Sequence, residues 1–307
     1  MKKIGFIGTS WITIKQVEAT KLLGYEATVI FSRDKIRAAL FAAEYKIANF
    51  ITDIKDFAKY NLDGVYVASP FPIHYEQAKQ LLEMGISVLC EKPLTVKLWE
   101  TEDLIETAKK NNVRFLEAFR PAHNPHSAIL QEYLKNYKVK SANFYFEKKS
   151  SQLTDERYLT ASTFQKDMFG GAHTDLGIYP IEVACILFGD TTSSKIHVNE
   201  WFNQVPGTVS ISMKHTNGVN TNIVCSKLYD GKLENTIELE DGSIIKIDNI
   251  SRLTKATHNE KVIFDYEHKN DMTFQMYHFI NLKSLHKYNE YSKQGIKILE
   301  DLIKQVS

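Results

Sequence analysis

The sequence predicts an α/β protein whose first part is a doubly wound parallel sheet and whose second part is an α+β domain with a large, mostly antiparallel open sheet. Up to about residue 121, short apolar runs alternate with longer helical patterns, which is typical of a parallel α/β sheet. After Asn143, the runs 208–213 and 236–240 alternate strictly between apolar and polar residues, as antiparallel strands with one wet face do. The length of 307 residues suits about two domains.

The individual elements follow from these patterns. Five apolar runs in the first part are predicted strands, namely Ile4–Ile7, Ala27–Phe31, Gly64–Val67, Ile86–Leu89 and Val113–Leu116. Helical periodicity fills two of the gaps between them, at Lys35–Tyr45 and Tyr75–Met84. In the second part, Asp241-Gly242 between two alternating runs indicates a hairpin, and an amphipathic helix from about Gln294 to Gln305 closes the chain.

The composition is that of a soluble globular protein, with 43% hydrophobic residues, 24% charged residues and a net charge of +1. This balance gives no indication of nucleic-acid or membrane binding. The apolar run after the basic first residues ends at Gly8 and is too short for a signal peptide, and no segment is long enough to span a bilayer. Cys90, Cys185 and Cys225 lie far apart without metal-ligand spacing, so we expect reduced thiols, a cytoplasmic location and no metal.

One lysine follows a predicted buried strand. Lys92 belongs to Cys90-Glu91-Lys92-Pro93, which comes directly after the apolar run 86–89. Ligands of doubly wound sheets bind at the carboxyl ends of the strands. A lysine in that position can donate a proton, accept one, or balance the charge of a reacting oxygen. The alternative is a lysine that merely ends a strand.

The turn after the first strand, 8–13, occupies the place of a dinucleotide-binding G-x-G-x-x-G motif but keeps only its first glycine. Ser10 and Thr13 replace the other two and add atoms where a pyrophosphate and the following helix come close. The predicted cofactor contacts in this turn are Gly8, Thr9, Ser10, Trp11 and Ile12. An ordinary strand-to-helix turn is the alternative.

Two further strand ends favour a dinucleotide. Ser32-Arg33 follows the second strand, where NAD enzymes carry an acidic residue, and a hydroxyl beside a guanidinium suits a 2′-phosphate, which favours NADP over NAD. His74 begins the helix after strand 64–67 and is a further candidate contact. A surface arginine and a structural histidine are the alternatives. The small residues after strand 64–67 are predicted to line the same cleft, namely Ala68, Ser69 and Pro70.

In the second part, the segment 170–180 combines a glycine-rich entry with polar groups. Asp175 and Tyr179 are four residues apart, so on a helix they share one face. A tyrosine can exchange a proton with a carbonyl or hydroxyl oxygen if a nearby cation lowers its pKa. Lys92 would be that cation if the two halves met. The alternative is a capping aspartate followed by a packed tyrosine.

With these motifs in order, the chain resembles the glucose-fructose oxidoreductase, inositol dehydrogenase and MocA (Gfo/Idh/MocA) family over nearly its whole length. The likeness rests on separated motifs, namely Ile7-Gly8-Thr9, Val67-Ala68-Ser69-Pro70 with His74, Val88 to Leu94, and Gly170-Gly171 leading to Asp175, Gly177 and Tyr179. Glu117 to Arg120 and Asn124-Pro125 resemble the family's segment between domains. The resemblance implies a Rossmann dinucleotide-binding domain at 1–121 and a substrate-binding and oligomerisation domain at 122–307.

The resemblance also implies an activity. It is that of an oxidoreductase transferring a hydride between NADP, or alternatively NAD, and a sugar, polyol, diol or related carbonyl compound. In that scheme Lys92 binds and polarises the reacting oxygen, Asp175 orients the substrate and Tyr179 is the acid/base. Tyrosine at this place, where many relatives have histidine, is similar to the dihydrodiol dehydrogenase and glucose-fructose oxidoreductase branch, which leans toward NADP. Glu91 and Lys92 are further expected cofactor contacts, and Arg120 is a further expected substrate contact.

Two other functions stay open. One is a non-catalytic protein of the same fold that binds a dinucleotide or sugar as a sensor or partner-binding protein, and the other is redox-neutral chemistry with tightly held NAD. Thr208, Ser210 and Ser212 form a polar, uncharged strand face that predicts a homodimer or a dimer of dimers, with a solvated face as the alternative. Further candidates for the substrate pocket are Tyr158, Phe164, Arg120 and His123.

Overall fold

The structure is a computed structural model and describes residues 1–306, apart from the side chain of Asp155. The chain divides into two units. The first comprises Met1–Arg120 together with Lys269–Ser292, and the second comprises Pro121–His268 together with the residues from Lys293 onward. Within residues 1–306, no helix combines the length and the apolar character needed to cross a membrane.

The first part of the chain alternates strands and helices. The elements are β1 (Lys3–Ile7), α1 (Trp11–Leu22), β2 (Glu26–Phe31), α2 (Lys35–Glu44), β3 (Asn49–Ile51), β4 (Gly64–Val67), α3 (His74–Glu83), β5 (Val88–Glu91), α4 (Leu98–Lys110) and β6 (Phe115–Ala118). The strands pair in parallel in the order β3-β2-β1-β4-β5-β6. The predicted doubly wound parallel sheet is therefore confirmed. The strand order reverses between β1 and β4, whose carboxyl ends flank the crevice where such sheets bind ligands.

Two strands begin two residues later than the sequence predicts, at Val88 and Phe115. In both cases the apolar residue that is predicted to open the strand, Ile86 or Val113, instead follows the end of a helix and caps it. The amide of Ile86 donates to Leu81 O at the end of α3, and the amide of Val113 donates to Ala108 O at the end of α4. This six-to-one hydrogen bond, with an apolar residue just after the helix, is a common way of ending a helix. The strand β3 has three residues, too few to show a periodicity.

The rest of the chain contains α5 (Arg120–His123), α6 (Pro125–Leu134), β7 (Val139–Glu147), α7 (Ala172–Asp175), α8 (Ile178–Phe188), β8 (Thr191–Phe202), β9 (Val205–His215), β10 (Asn220–Ser226), β11 (Asn235–Leu239), β12 (Ile244–Ile247), β13 (Lys255–His258), β14 (Lys261–Asp265), α9 (Met272–Asn281) and α10 (His286–Val306). The strands form one sheet in the order β14-β13-β12-β11-β7-β10-β9-β8, antiparallel except where β7 meets β10. The predicted, mostly antiparallel sheet is confirmed, as is the hairpin at Asp241-Gly242 between β11 and β12.

The alternation predicted for β9 is present. Its buried face carries Val209, Ile211 and Met213. On the other face, Ser210 is half-buried and Ser212 is exposed, whereas Thr208 is buried and its hydroxyl is satisfied by that of Ser226 at 2.8 Å. The helix α8 contacts β7 and β10 and is apolar along most of its length, so it forms the core of this unit with the buried sheet face.

The last helix is longer than predicted. It begins at His286 rather than near Gln294. The pattern does not reveal its first turns, because they carry mostly polar residues and show no apolar stripe. Gly295 lies where this helix passes α8. A side chain there would approach Glu182 Cγ to 2.3 Å, so glycine permits the close packing of the two helices.

Residues 269–292 return to the first unit. The helix α9 contacts α1 and β6. Gln275 Nε2 donates to Gln16 Oε1 at 2.7 Å, and both side chains are fully buried. Arg114 donates to the carbonyl oxygens at the carboxyl end of α9, including Leu282 O at 2.7 Å. The sequence analysis places one boundary near residue 121 and does not anticipate this return, because nothing in the pattern of 269–292 indicates which sheet the helix covers.

Candidate functional site

A cleft of about 300 Å³ lies at the carboxyl ends of β1, β2 and β4 in the first unit. Its lining residues come from three strand ends and from α2 and the start of α3, namely Ile7, Gly8, Thr9, Ser10, Phe31, Ser32, Arg33, Arg37, Ala68, Ser69, Pro70, Ile73 and Gln77. Among the predicted cofactor contacts, the cleft brings together Gly8, Thr9, Ser10, Ser32, Arg33, Ala68, Ser69 and Pro70. It lies where a doubly wound sheet binds its ligand.

Gly8 is the one residue of the loop that has to be glycine. Its φ is +97°, and a Cβ there would lie 2.5 Å from the carbonyl oxygen of Ala68. The two positions where the motif lacks a glycine are accommodated. Thr13 is fully buried, and Ser10 stands at the N-cap of α1 with its hydroxyl 3.4 Å from that of Thr13. The amino end of α1 thus follows directly on cleft residues, and a helix amino end favours anions.

The chemistry of the cleft fits a dinucleotide. Ser69 and Gln77 line the cleft, and Ser69 Oγ and Gln77 Oε1 are buried without a hydrogen-bond partner in the described structure. Arg33 and Arg37 add two exposed guanidinium groups at the end of β2 and on α2. Guanidinium groups bind phosphate oxygens through paired donors. The Ser69 hydroxyl and the two guanidinium groups are therefore donors of the kind that the phosphates of a dinucleotide require, whereas Gln77 Oε1 is an acceptor.

Lys92 lies directly after β5 and is half-buried, and the Lys92-Pro93 peptide is cis. His74 connects the loop after β5 with the loop after β4. Its Nδ1 lies 3.1 Å from Pro93 O and its Nε2 lies 2.9 Å from Ser69 O. Burial lowers the pKa of His74 to about 4. His74 is thus a neutral, buried link between two loops rather than a residue that lines the cleft.

The other predicted cofactor contacts lie outside the cleft lining. Glu91 is buried and accepts a hydrogen bond from the hydroxyl of Tyr66 at 2.5 Å. Burial raises the pKa of Glu91, against the opposing effect of that hydrogen bond. Trp11 is 69% exposed, and Ile12 packs against the hydrophobic core. Neither residue is among those that line the cleft.

The predicted substrate contact Arg120 is engaged within the first unit. Its Nη1 lies 3.4 Å from Asp271 Oδ2, and the two side chains are 17% and 8% exposed. The ion pair joins the end of the first chain segment of this unit to the segment that returns after residue 268. Arg120 therefore has a structural partner beside any role in binding.

In the second unit, Asp175 is paired with a residue that the sequence analysis does not single out. Lys227 Nζ lies 2.5 Å from Asp175 Oδ2, with the lysine side chain 2% exposed and the aspartate side chain 28% exposed. The same ammonium lies 4.5 Å from the centre of the Phe164 ring, a favourable cation–π distance. Asp175 is therefore an anchored, partly accessible carboxylate.

The segment that carries Asp175 and Tyr179 forms two short helices instead of the one that the spacing predicts. Asp175 ends α7 and Tyr179 lies in the first turn of α8. Gly177 stands between them, and a Cβ there would come within 2.5 Å of His173 O. Tyr179 is 7% exposed, and its ring meets Phe146 edge-on at 5.3 Å. The two side chains thus belong to different helices, whereas the four-residue spacing predicts a shared face only for one continuous helix.

The remaining candidates for the substrate pocket are mostly packed. Phe164 is fully buried beneath Lys227 and also packs on Phe202, with ring centres 5.5 Å apart. Tyr158 packs edge-on against the same Phe202 at 5.0 Å. His123 is 2% exposed. Phe164 therefore supports the ion pair and is not an open wall of a pocket.

Lys227 could have been found from the sequence by its register. Thr221, Ile223 and Cys225 alternate along β10 and are buried. Lys227 continues the same alternation onto the buried face, where a lysine requires a partner. Arg37 and Gln77 carry no such signal, because they lie on helices whose approach to the cleft depends on the fold.

Comparison with known proteins identifies the family. Residues 2–119 match the description "Oxidoreductase family, NAD-binding Rossmann fold", and residues 139–245 match "GFO/IDH/MocA C-terminal domain". The chain is 32% identical over 256 residues to scyllo-inositol 2-dehydrogenase (NADP(+)) IolU of Bacillus subtilis (strain 168), and the match covers 82% of this chain and 77% of that protein. The chain belongs to the GFO/IDH/MocA oxidoreductase family. The membership that the sequence motifs predict is confirmed.

Two further similarities are more distant. The chain is 25% identical to trans-1,2-dihydrobenzene-1,2-diol dehydrogenase of Xenopus tropicalis, over 62% of this chain and 56% of that protein. A solved structure of levoglucosan dehydrogenase with NADH and levoglucosan superposes with a TM-score of 0.84 at 16% identity, covering 99% of this chain and 97% of that one. At this identity the superposition establishes that this GFO/IDH/MocA oxidoreductase shares the fold.

Proposed function

We propose that this oxidoreductase transfers a hydride between a nicotinamide cofactor, with NADP preferred, and a sugar, polyol, diol or related carbonyl compound. The observation that carries the proposal is the cleft at the ends of β1, β2 and β4. It combines two guanidinium groups with two buried polar atoms that have no protein partner, Ser69 Oγ and Gln77 Oε1. The names of the inositol, dihydrodiol and levoglucosan dehydrogenases support the substrate class.

The preference for NADP is supported by the end of β2. An acidic residue that binds the ribose 2′-hydroxyl is the usual feature of NAD sites there. The carboxylate that follows β2, Asp34, is occupied as the N-cap of α2, where it accepts hydrogen bonds from the amides of Ile36 at 2.9 Å and Arg37 at 3.1 Å. Ser32 and Arg33 line the cleft beside it, together with Arg37. Two guanidinium groups suit the additional phosphate of NADP.

The proposed chemistry assigns three side chains. Removing a hydride from a carbon requires that the attached oxygen lose its proton, and reduction requires the reverse. Lys92 binds and polarises that oxygen, Asp175 orients the substrate, and Tyr179 gives or takes the proton. When bound, the nicotinamide supplies the redox step itself. The half-buried position of Lys92 directly after β5 and the anchoring of Asp175 by Lys227 support these roles.

The test is an absorbance assay for reduced nicotinamide over a panel of inositols, aldoses and 1,2-diols with NADP and NAD. Turnover by the wild type is expected on at least one member. Lys92→Ala is expected to lower kcat/KM by about a thousandfold, the loss typical of a group that stabilises charge at the reacting oxygen. Lys97→Ala is the matched control, since Lys97 is an exposed lysine five positions further on. Turnover that survives Lys92→Ala unchanged contradicts the mechanism.

A non-catalytic dinucleotide- or sugar-binding protein is the second candidate. It is favoured by one observation, the serine and threonine at the places of two loop glycines. Tight binding of NADP with no turnover on the whole panel would support it. NAD that co-purifies and survives dialysis would instead support redox-neutral chemistry with a tightly held cofactor.

A homodimer, or a dimer of dimers, is proposed for the assembly. The outer face of the second unit's sheet carries polar, uncharged side chains next to one another. Ser212 is exposed on β9, its register partner on β10 is Asn222, and Asn222 Nδ2 donates to Asn143 Oδ1 at 3.1 Å. Such a face can pair with its copy about a twofold axis. Light scattering is expected to give at least twice the chain mass, and Asn222→Arg is expected to reduce it. A monomeric wild type contradicts the proposal.

A cytoplasmic location is also proposed. It is supported by Cys90, Cys185 and Cys225, which are buried free thiols in the structure. Fractionation of cells expressing the protein from its own gene tests this location.

A further inference from the structure

We infer that Lys227 is a positioning residue that keeps Asp175 ionised and fixed, so that the site selects substrates presenting a hydroxyl donor next to the reacting carbon. The inference deepens the proposed function and rests on it for the substrate. Its core, the effect of Lys227 on the carboxylate, can be measured without any turnover.

The first step of the argument is burial. The Lys227 side chain is 2% exposed, and an ammonium ion is costly to bury unless it is paired and hydrogen-bonded. Asp175 Oδ2 lies 2.5 Å from its Nζ, and the Phe164 ring lies beneath it at 4.5 Å. Both partners offer negative charge density to the ammonium. The lysine is thus held by the groups around it and does not reach solvent.

The second step is the rigidity of the surroundings. The amide of Lys227 donates to Gly207 O at 3.0 Å, and its carbonyl accepts from the amide of Ser150 at 2.9 Å. The backbone of Phe164 is fixed as well, because its carbonyl accepts a hydrogen bond from Asn203 Nδ2 at 2.9 Å. The backbones of Lys227 and Phe164 are thus both fixed by hydrogen bonds. The ammonium group above the Phe164 ring therefore holds Asp175 in one orientation.

The third step is the protonation state. An ammonium at ion-pair distance favours the charged form of a carboxyl group. The elements packed most closely against α7 are α8, β9 and β10, and α7 itself carries His173. The titratable side chains on those neighbouring elements are Tyr179, Glu182, Cys185, Lys214, His215 and Cys225. Lys227, directly after β10, lies at ion-pair distance from Asp175, so its removal is expected to raise the pKa of the carboxyl group.

The chemical consequence concerns the substrate. An ionised carboxylate accepts hydrogen bonds and cannot donate one. Asp175 is 28% exposed and can accept a hydrogen bond from a substrate hydroxyl, whereas an ether or carbonyl oxygen at the same place would face a negative charge. Lys227 is too buried to touch the substrate and acts through Asp175. The favoured substrates are therefore vicinal diols and polyols, and their deoxy analogues are expected to react about a hundredfold more slowly.

The direct test is an NMR titration of the carboxyl carbon of Asp175. Its signal is assigned as the one that disappears in Asp175→Asn. In Lys227→Met the titration midpoint is expected to rise by about one pH unit or more relative to the wild type, and in Lys227→Arg it is expected to stay low. An unchanged midpoint in a folded Lys227→Met overturns the inference. If the midpoint rises but the wild type turns over no member of the panel, the inference about Lys227 stands and the proposed function fails.

The kinetic test uses the same variants. In Lys227→Met, kcat/KM for a vicinal diol is expected to fall by about tenfold at acidic pH, because Asp175 becomes protonated, whereas the wild type shows no such fall. Lys227→Arg is expected to restore the pH profile of the wild type. A double variant, Asp175→Asn with Lys227→Met, is expected to be no slower than Asp175→Asn alone, because the lysine acts through the carboxylate. Additive losses in the double variant overturn the inference, and this comparison holds even if Lys227→Met alone folds poorly.

Discussion

Lys227 Nζ lies 2.5 Å from Asp175 Oδ2, and the lysine is the more buried partner, 2% exposed against 28% for the aspartate. A change at Asp175 therefore affects more than the substrate. It also removes an anion from beside a buried ammonium, and a buried charge that loses its partner destabilises the fold. Loss of activity in an Asp175 variant consequently has two causes that must be separated.

Asp175→Ala is expected to lower the free energy of unfolding by about 3 kcal/mol, since it takes the carboxylate away from a buried ammonium. Adding Lys227→Met to this variant is expected to recover most of the loss, because the isosteric side chain needs no anion. Urea unfolding of the two single variants and the double variant measures both effects. If Lys227→Met brings no recovery in the Asp175→Ala background, the pair is not the cause of the destabilisation.

Gly8→Ala is expected to disrupt the cofactor cleft. The new Cβ would lie 2.5 Å from Ala68 O at a φ of +97°, so the ends of β1 and β4 would have to separate. We expect the Kd for NADP to rise by at least about tenfold, because the backbone beside the ligand shifts. Gly24→Ala is the control, since Gly24 also has a positive φ, +73°, but nothing lies within 4 Å of the added atom. Titration calorimetry with NADP compares the two, and equal effects would mean that backbone conformation alone, not the contact with Ala68, is responsible.

Arg33→Ala is expected to weaken NADP binding much more than NAD binding. Losing a charge-assisted hydrogen bond to the 2′-phosphate corresponds to about 2 kcal/mol, or roughly thirtyfold in KM for NADP. Arg37→Ala tests the second guanidinium of the cleft, and Arg157→Ala, an exposed arginine of the second unit, is the control. The measurement is the ratio of kcat/KM values for the two cofactors. An unchanged ratio in both cleft variants would exclude a 2′-phosphate site at the end of β2.

The protein is expected to lose stability in mild acid through two buried histidines. Burial lowers the pKa of both His74 and His173 from the ordinary 6.5 to about 4. Between these values the unfolded chain binds more protons than the folded one, so stability rises with pH across this window and is lost as the pH falls from 6.5 toward 4. Each histidine is expected to contribute a loss of about 2 kcal/mol at about pH 5.

His173→Leu isolates the contribution of His173 to the loss of stability in acid. The His173 side chain makes no hydrogen bond in the described structure, and its Nδ1 is buried without a partner, so an apolar side chain of similar size removes no bond. Urea unfolding is expected to give a similar stability to the wild type at about pH 8 and a higher one at about pH 5. His74 differs because its ring meets two carbonyl oxygens. If the acid dependence of His173→Leu equals that of the wild type, His173 is protonated in the folded state or accessible to water.

The parts of the fold that local patterns determine could be predicted, and the parts that depend on packing could not. The alternation in β9 and the apolar runs of the parallel strands follow directly from burial, so the sequence predicts both sheets. Ile86 and Val113 were assigned to strands because an apolar residue that caps a helix is indistinguishable in sequence from one that opens a strand. The return of α9 to the first unit depends on the surface it covers, which no pattern in its own sequence specifies.

The candidate site shows the same division. Gly8, Ser32 and Ser69 lie at strand ends and were identified by their place in the strand order. Glu91 is predicted as a cofactor contact because it stands at a strand end, and His74 because it begins the helix after strand 64–67. Their side chains, however, turn inward to Tyr66 and to two carbonyl groups. Lys227 was missed although its register on the buried face of β10 is visible in the sequence.

The return of residues 269–292 to the first unit also affects how the protein is made. During synthesis the parallel sheet leaves the ribosome long before α9 does. Gln16 and the rest of the surface that α9 covers therefore stay exposed while the whole second sheet is translated. Domains generally fold as units while they emerge. A chain truncated anywhere between residues 120 and 292 would therefore lack part of its first unit, even though residues 1–120 are complete. We expect chaperones and proteases to recognise such fragments.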